Sequence, residues 1–173
     1  MSMIDQLVQE LEQEAATTRR VLARVPDDKL AWKPHDRSMS LGQLAQHIAT
    51  MPGMIAGMAR QSPFELPRFE QPSAARAADL VPTLDQSVAE ARTHLAGLTD
   101  ADLASTWRAV SGSREVFSAP VGAVLRTIML NHWYHHRGQL SVYLRQLNVP
   151  VPSIYGPSAD ENPFAVPSQA TTA

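Results

Sequence analysis

The stretch from residue 128 to 144, "IMLNHWYHHRGQLSVYL", constrains the fold more tightly than any other part of the chain. Successive residues of an α-helix rotate by about 100°, so positions four apart are offset by only about 40°. Ile128, His132, His136, Leu140 and Leu144 therefore form one ridge, aliphatic at both ends and imidazole in the middle. The aliphatic ends have to face a core, and they carry the two histidines inward with them. His135 lies about 100° round from His136, at the edge of that stripe. A His132/His135 pair is geometrically possible, because positions three apart are also neighbours. The aliphatic ridge favours His132 with His136.

The rest of the chain supplies what such a ridge would pack against. Ile4, Leu7, Val8, Leu11, Ala15, Val21, Leu22 and Val25 recur at helical spacing, which predicts an amphipathic helix over about 3–24, ended by Pro26. Ser40 and Gln43 have the spacing of a capping box and open a second helix. That helix carries Leu41, Leu44, Ile48, Met51, Ile55 and Met58 on one side, with Pro52 and Gly53 expected to kink it. Residues 61–82, with four prolines, read as a long connection over one end of the domain. A third helix is expected from Thr83 to about Leu98, and Thr99 starts a short helical turn. The Ser111-Gly112-Ser113 turn between apolar pairs suggests a brief hairpin within 106–118. Ser118 would then cap the longest helix, about 119–147, stopped by Asn148 and Pro150. With no multi-strand pattern and no repeat, the expected fold is all-α, a single helical bundle over 1–165. Residues 166–173 are expected to be a disordered tail.

A third histidine belongs to the same interior. His47 follows Leu44 by three and precedes Met51 by four, on the apolar face of the second helix. One histidine in such a place is usually a core residue with one hydrogen bond. Three are harder to hide, since each buried imidazole without a partner costs about 1–3 kcal/mol. A divalent cation relieves that cost by accepting three lone pairs at once, and His-x-x-x-His on one helix plus a ligand from a facing helix leaves a coordination position open. His47, His132 and His136 are therefore the candidate metal ligands. Three imidazoles suit zinc, nickel, cobalt, copper or iron, with zinc or nickel the expected occupant.

Composition excludes several other functions. Hydrophobic residues make up 44% and charged residues 18%, with a formal net charge of −2, which suits a globular protein and gives no polyelectrolyte surface for nucleic acid. Zero cysteines exclude disulfides, thiolate metal sites and a cysteine nucleophile. They also agree with a cytoplasmic location. The N-terminal stretch has no apolar region of the secretory kind, and no run approaches the roughly 18 apolar residues of a membrane span. There is no Gly-rich phosphate loop and no nucleophile elbow.

Three segments in register resemble the DinB-like superfamily, which includes the YfiT-like metalloenzymes. They are Trp32-Lys33-Pro34, "SMSLGQLAQHI" at 38–48, and "NHWYHHRGQLSVYLRQLNVPVPSIYGPSADE" at 131–161. The resemblance implies a four-helix bundle of up-down-down-up order with a crossover at the 61–82 connection. It also implies a homodimer and a divalent metal held by His47, His132 and His136. Relatives of this kind include thiol-dependent enzymes, a mycothiol-dependent maleylpyruvate isomerase and bacillithiol S-transferases. A small-molecule substrate with a low-molecular-weight thiol is the implied partner, and thiol transfer or hydrolysis the implied chemistry. The alternative is a non-catalytic metal-binding or dimerisation protein of a stress response. Arg137 is expected to pair with Asp36 or Glu161, and Gln139 to orient a ligand histidine. His35 is expected to be solvated and His94 to lie on the shoulder of the third helix. Tyr155 is expected to line the site or anchor the tail, and Glu65, Asp160 or Glu161 could fold back towards the triad.

Overall fold

A computed structural model describes residues 2–68 and 70–165. The expected tail at 166–173 lies outside them. Four long helices carry the core: α1 (Met3–Leu22), α2 (Leu41–Ala59), α3 (Leu80–Leu95) and α6 (His132–Gln146). α1 packs against α3 and α6, and α2 packs against the same two, so the four close a ring around one apolar interior. Short α4 (Asp100–Ala104) and α5 (Val121–Val124) lie between α3 and α6.

The helix starts follow the sequence closely. The Ser40 hydroxyl accepts from the Gln43 N–H at 3.1 Å, and the Gln43 side chain accepts from the Ser40 N–H at 2.9 Å. Ser2 with Asp5 and Thr99 with Asp102 close the same reciprocal cap on α1 and α4. α6 ends where Asn148 adopts a left-handed φ of 58°.

The sheet corrects the all-α expectation. β1 (Phe64–Glu65), β2 (Thr106–Ser111) and β3 (Arg114–Pro120) form a three-stranded sheet in the order β1-β2-β3. The protein is therefore mixed helix and sheet rather than a pure four-helix bundle. The hairpin between β2 and β3 was suggested by Ser111-Gly112-Ser113, and Gly112 at φ 59° supplies the positive φ that a two-residue turn needs. β3 bulges between its pairings with Ala109 and Val110, and it runs on to Pro120. Ser118 consequently pairs with Arg108 in the ladder instead of capping a helix. The 61–82 connection is not a bare crossover either. It contributes β1, which pairs in parallel with β2, and the helices it joins, α2 and α3, pack directly on each other.

Trp107 fixes the sheet to the helices. It is 1% exposed, stacks on Phe64 and donates its indole N–H to the Met58 carbonyl at 3.1 Å. The inner face of β2 thus closes over the C-terminal half of α2.

A candidate metal centre

Two departures from ideal helix geometry position the three histidines. Between α5 and α6 the chain runs through a π-helical segment, Leu125–Asn131, so that the His132 N–H donates to the Thr127 carbonyl five residues back. Such wide turns are uncommon and tend to lie at functional sites. The second departure is Pro52 inside α2. Lacking an N–H, it leaves the Ile48 carbonyl without its helical donor. The Trp133 indole N–H fills the gap at 2.9 Å, and the displaced Gly53 N–H donates to the Ser87 hydroxyl at 2.9 Å. That Trp133 bond joins α2 to α6 one residue from His47 and one residue from His132.

At this joint the imidazoles converge. One ligand atom from each of His47, His132 and His136 lies within 4.8 Å of the other two. The His47 ring centroid is 4.7 Å from that of His136 and 5.6 Å from that of His132. Gln139 lies one turn below, and the His136 Nδ1–H donates to its Oε1 at 2.7 Å. His136 therefore turns the lone pair of Nε2 towards His132 Nε2, 2.7 Å away. Among the described residues nothing hydrogen-bonds to the His47 ring.

Electrostatics keep the cluster neutral. Burial first, and then the neighbouring His136 and His132, lower His47 to about 4. Burial also lowers His132 and His136, which the Ile128 carbonyl and Gln139 respectively oppose. Neutral imidazoles with converging lone pairs are a nitrogen donor set compatible with a divalent metal.

A cavity of about 680 Å³ opens onto the triad. Met39, Met51, Met54, Met58 and Ile128 form much of its wall, with Leu66, Glu70, Gln71 and Pro72 from the connection and Trp107, Ala109 and Phe117 from the sheet. Met51 and Met58 were visible in the sequence on the apolar side of the second helix. The sheet and connection residues were not, although the alternation that buries Trp107 and Ala109 on β2 is a signal that could have found them.

The other candidates lie elsewhere. His135 is exposed beside His136 and outside the triad. The exposed His35 accepts from the Arg37 N–H through Nδ1 at 3.1 Å. His94 lies over Gly57 in an adjoining groove between α2 and α3. Arg137 pairs with Glu14 rather than Asp36 or Glu161. Glu161 instead pairs with Arg20, and Asp160 pairs with Arg145. Glu65 accepts from the Gly112 N–H, so none of these carboxylates reaches the triad. Tyr155 hydrogen-bonds to Arg137 and Glu14, which anchors the tail.

The model of the DinB family matches residues 1–164. The chain belongs to the DinB family. Among curated proteins, this DinB protein is 26% identical over 162 residues to the uncharacterized protein YrdA of Bacillus subtilis (strain 168), covering 91% of each chain. Among solved structures it resembles a DinB-like protein from Bacillus cereus ATCC 10987, with a TM-score of 0.69 and 24% identity over 87% of this chain and 97% of that one. A second DinB-like protein, YjoA from Bacillus subtilis, gives a TM-score of 0.65 and 21% identity over 86% and 97%. At those identities the two structures speak to the fold alone. Among the described residues no helix is long and apolar enough to cross a membrane.

Proposed function

We propose that His47, His132 and His136 hold one divalent transition ion, zinc or nickel, and that this DinB protein is an enzyme acting on a small molecule in the adjoining cavity. Three protein nitrogens suit such ions and leave room for a further ligand. When bound, the ion supplies a fixed positive charge that makes a thiol or water ligand far more acidic. The chain's own groups prepare for it. Gln139 holds His136 with Nε2 inward, and burial keeps all three rings neutral and available as donors. Trp107, Met51 and Ile128 line the flank of the site with apolar surface.

The cavity carries the enzymatic half of this reading. A purely structural ion needs no space beside it, whereas 680 Å³ reaching the triad admits a small molecule. Glu70 is the sole carboxylate among the described lining residues, which favours an activated nucleophile over a carboxylate-driven mechanism. Thiol transfer and small-molecule hydrolysis are the two chemistries that fit.

Elemental analysis of untagged protein is expected to find one ion per chain and to find it lost in His136→Ala. The loaded protein is then expected to turn over a low-molecular-weight thiol with an electrophile, or a simple ester. An ion that is present yet supports neither reaction would leave a non-catalytic metal-binding or dimerisation protein. Sedimentation at micromolar concentration tests the homodimer that the family resemblance implies.

A further inference from the structure

The chemistry of the cavity wall goes further than the presence of an ion, because it selects among substrates. Met51, Met54, Met58, Leu66, Trp107 and Phe117 present thioether, aliphatic and aromatic surface. Two polar groups on the same wall are already committed. The Thr50 hydroxyl donates to the Gln46 carbonyl at 3.0 Å, and the Trp107 indole N–H donates to the Met58 carbonyl. Of the charged or titratable groups lining it, the triad and the carboxylate of exposed Glu70 are the ones described. No lysine or arginine is among the described lining residues. Arg68 of the same connection lines the adjoining groove between α2 and α3, which shares Thr50, Met54, Ile55, Met58 and Glu70 with this cavity, and there it stands in company with Glu70 and Glu90.

We propose that this cavity takes a largely hydrocarbon substrate carrying one donor atom for an ion at the imidazole cluster, and that its wall discriminates against a carboxylate at the far end of that substrate. The donor-atom half rests on the metal-site reading, while the hydrocarbon half does not. A carboxylate seated against that wall, away from the triad, would give up its water for thioether and aromatic surface, with the exposed Gln71 amide as the uncommitted donor among the described lining residues, and it would meet the like charge of Glu70. A methylene chain meets no such cost and packs on side chains that adapt to its shape. Unbranched methionines do this well, and three of them line one side of α2.

Two matched probes test the idea: octane-1-thiol and 8-sulfanyloctanoate, which differ at the far end of the chain. In ion-free protein, displacement of the uncharged dye Nile red reads the wall alone. Octane-1-thiol is expected to bind at least tenfold more tightly than the carboxylate, and affinity is expected to rise by up to about fourfold per methylene from butane- to octane-thiol. Met54→Lys, at a residue 49% exposed and therefore tolerant of a charge, is expected to close or reverse the gap. Equal or tighter binding of the carboxylate by the wild type, or no dependence on chain length, overturns the hydrocarbon half. In cobalt(II)-loaded protein, a thiol is expected to change the visible absorption of the ion, and an unchanged spectrum overturns the donor-atom half. If elemental analysis finds no bound ion, the metal-site reading fails while the dye series still decides the wall.

Discussion

His136 and Arg137 are neighbours in the sequence, and both are buried, yet α6 turns them into opposite kinds of environment. Arg137, 1% exposed, is surrounded by partners from this chain: the Glu14 carboxylate, the Glu14 carbonyl at 3.1 Å, the Thr18 hydroxyl at 3.0 Å and the Tyr155 hydroxyl at 2.6 Å. The rings of Tyr134 and Tyr155 flank it at 5.3 and 5.1 Å. His136 has Gln139 on one nitrogen and another histidine on the other. The first cluster is closed by the protein and holds the C-terminal segment on α1. The second is left open, towards a cavity. A polar group whose partners are all internal serves the fold, whereas three imidazoles that meet one another beside a cavity are compatible with a ligand from outside.

The largest effect expected from breaking this contrast is on the closed side. Arg137→Ala strands the Glu14 carboxylate, and Glu14→Ala strands a buried guanidinium. Removing one partner of a buried pair costs about 3–5 kcal/mol. At this chain length that lowers the melting temperature by roughly 10 °C or more. Urea unfolding is expected to show the loss with ion stoichiometry unchanged in the folded variants. A variant that sheds the ion while keeping its stability would dissolve the distinction between the two clusters.

On the open side the effect comes through the ligand. Adding zinc or nickel to stripped protein at a hundredfold its dissociation constant is expected to stabilise by about 2.7 kcal/mol. His136→Ala and His47→Ala are expected to abolish that gain. Without the ion His47→Ala is expected to be no less stable than the stripped wild type, since it removes a half-buried imidazole with no hydrogen-bond partner among the described residues. Gln139→Ala is expected to weaken ion binding by about ten- to a hundredfold and to leave the stripped protein's melting point in place.

The two sides also separate by pH. In the unfolded chain an imidazole titrates near its ordinary value of 6.5, whereas His47 in the folded chain is lowered to about 4 by burial. Between those values the unfolded chain binds more protons, so the stability of stripped protein falls as pH is lowered through that interval. Glu10, held down by Arg126, and Asp160, held down by Arg145, lose their contribution only below the ordinary carboxylate range. Urea midpoints of stripped protein are therefore expected to decline in two steps. His47→Ala should shrink the upper one, leaving the part due to the likewise lowered His132 and His136, and a step as large as the wild type's would contradict the burial of His47.

How much of this was legible in the sequence follows the range of the interactions. The His132–His136 ridge, His47 on an apolar face and the capping residues Ser40 and Thr99 are set by spacings of three or four residues, and they emerged from periodicity. The sheet did not, because β1 is two residues long and pairs Phe64 with Ala109 across a distance that no local pattern spans. Much of β3 faces solvent, so it shows no inward alternation. Glu14 as the partner of Arg137 was missed for the same reason. One local hint existed: Thr18 is a hydroxyl on the apolar stripe of α1, and it is fully buried to serve Arg137.

The smallest expected effect concerns the joint that brings both halves of the triad together. Trp133→Phe removes the donor that compensates for Pro52, leaves the Ile48 carbonyl unsatisfied and costs about 1–3 kcal/mol. Part of that cost is packing, since the indole is fully buried. Pro52→Ala separates the two contributions, because an alanine N–H at 52 can donate to Ile48 and restore the ordinary helical bond. In the Pro52→Ala background, Trp133→Phe should therefore cost less than in the wild type, by a coupling of about 0.5–1.5 kcal/mol. Strict additivity would mean that the indole contributes packing alone. Ion affinity measured across the same four proteins would then show whether the helices are held in register at the triad by this hydrogen bond or by the apolar contacts around it.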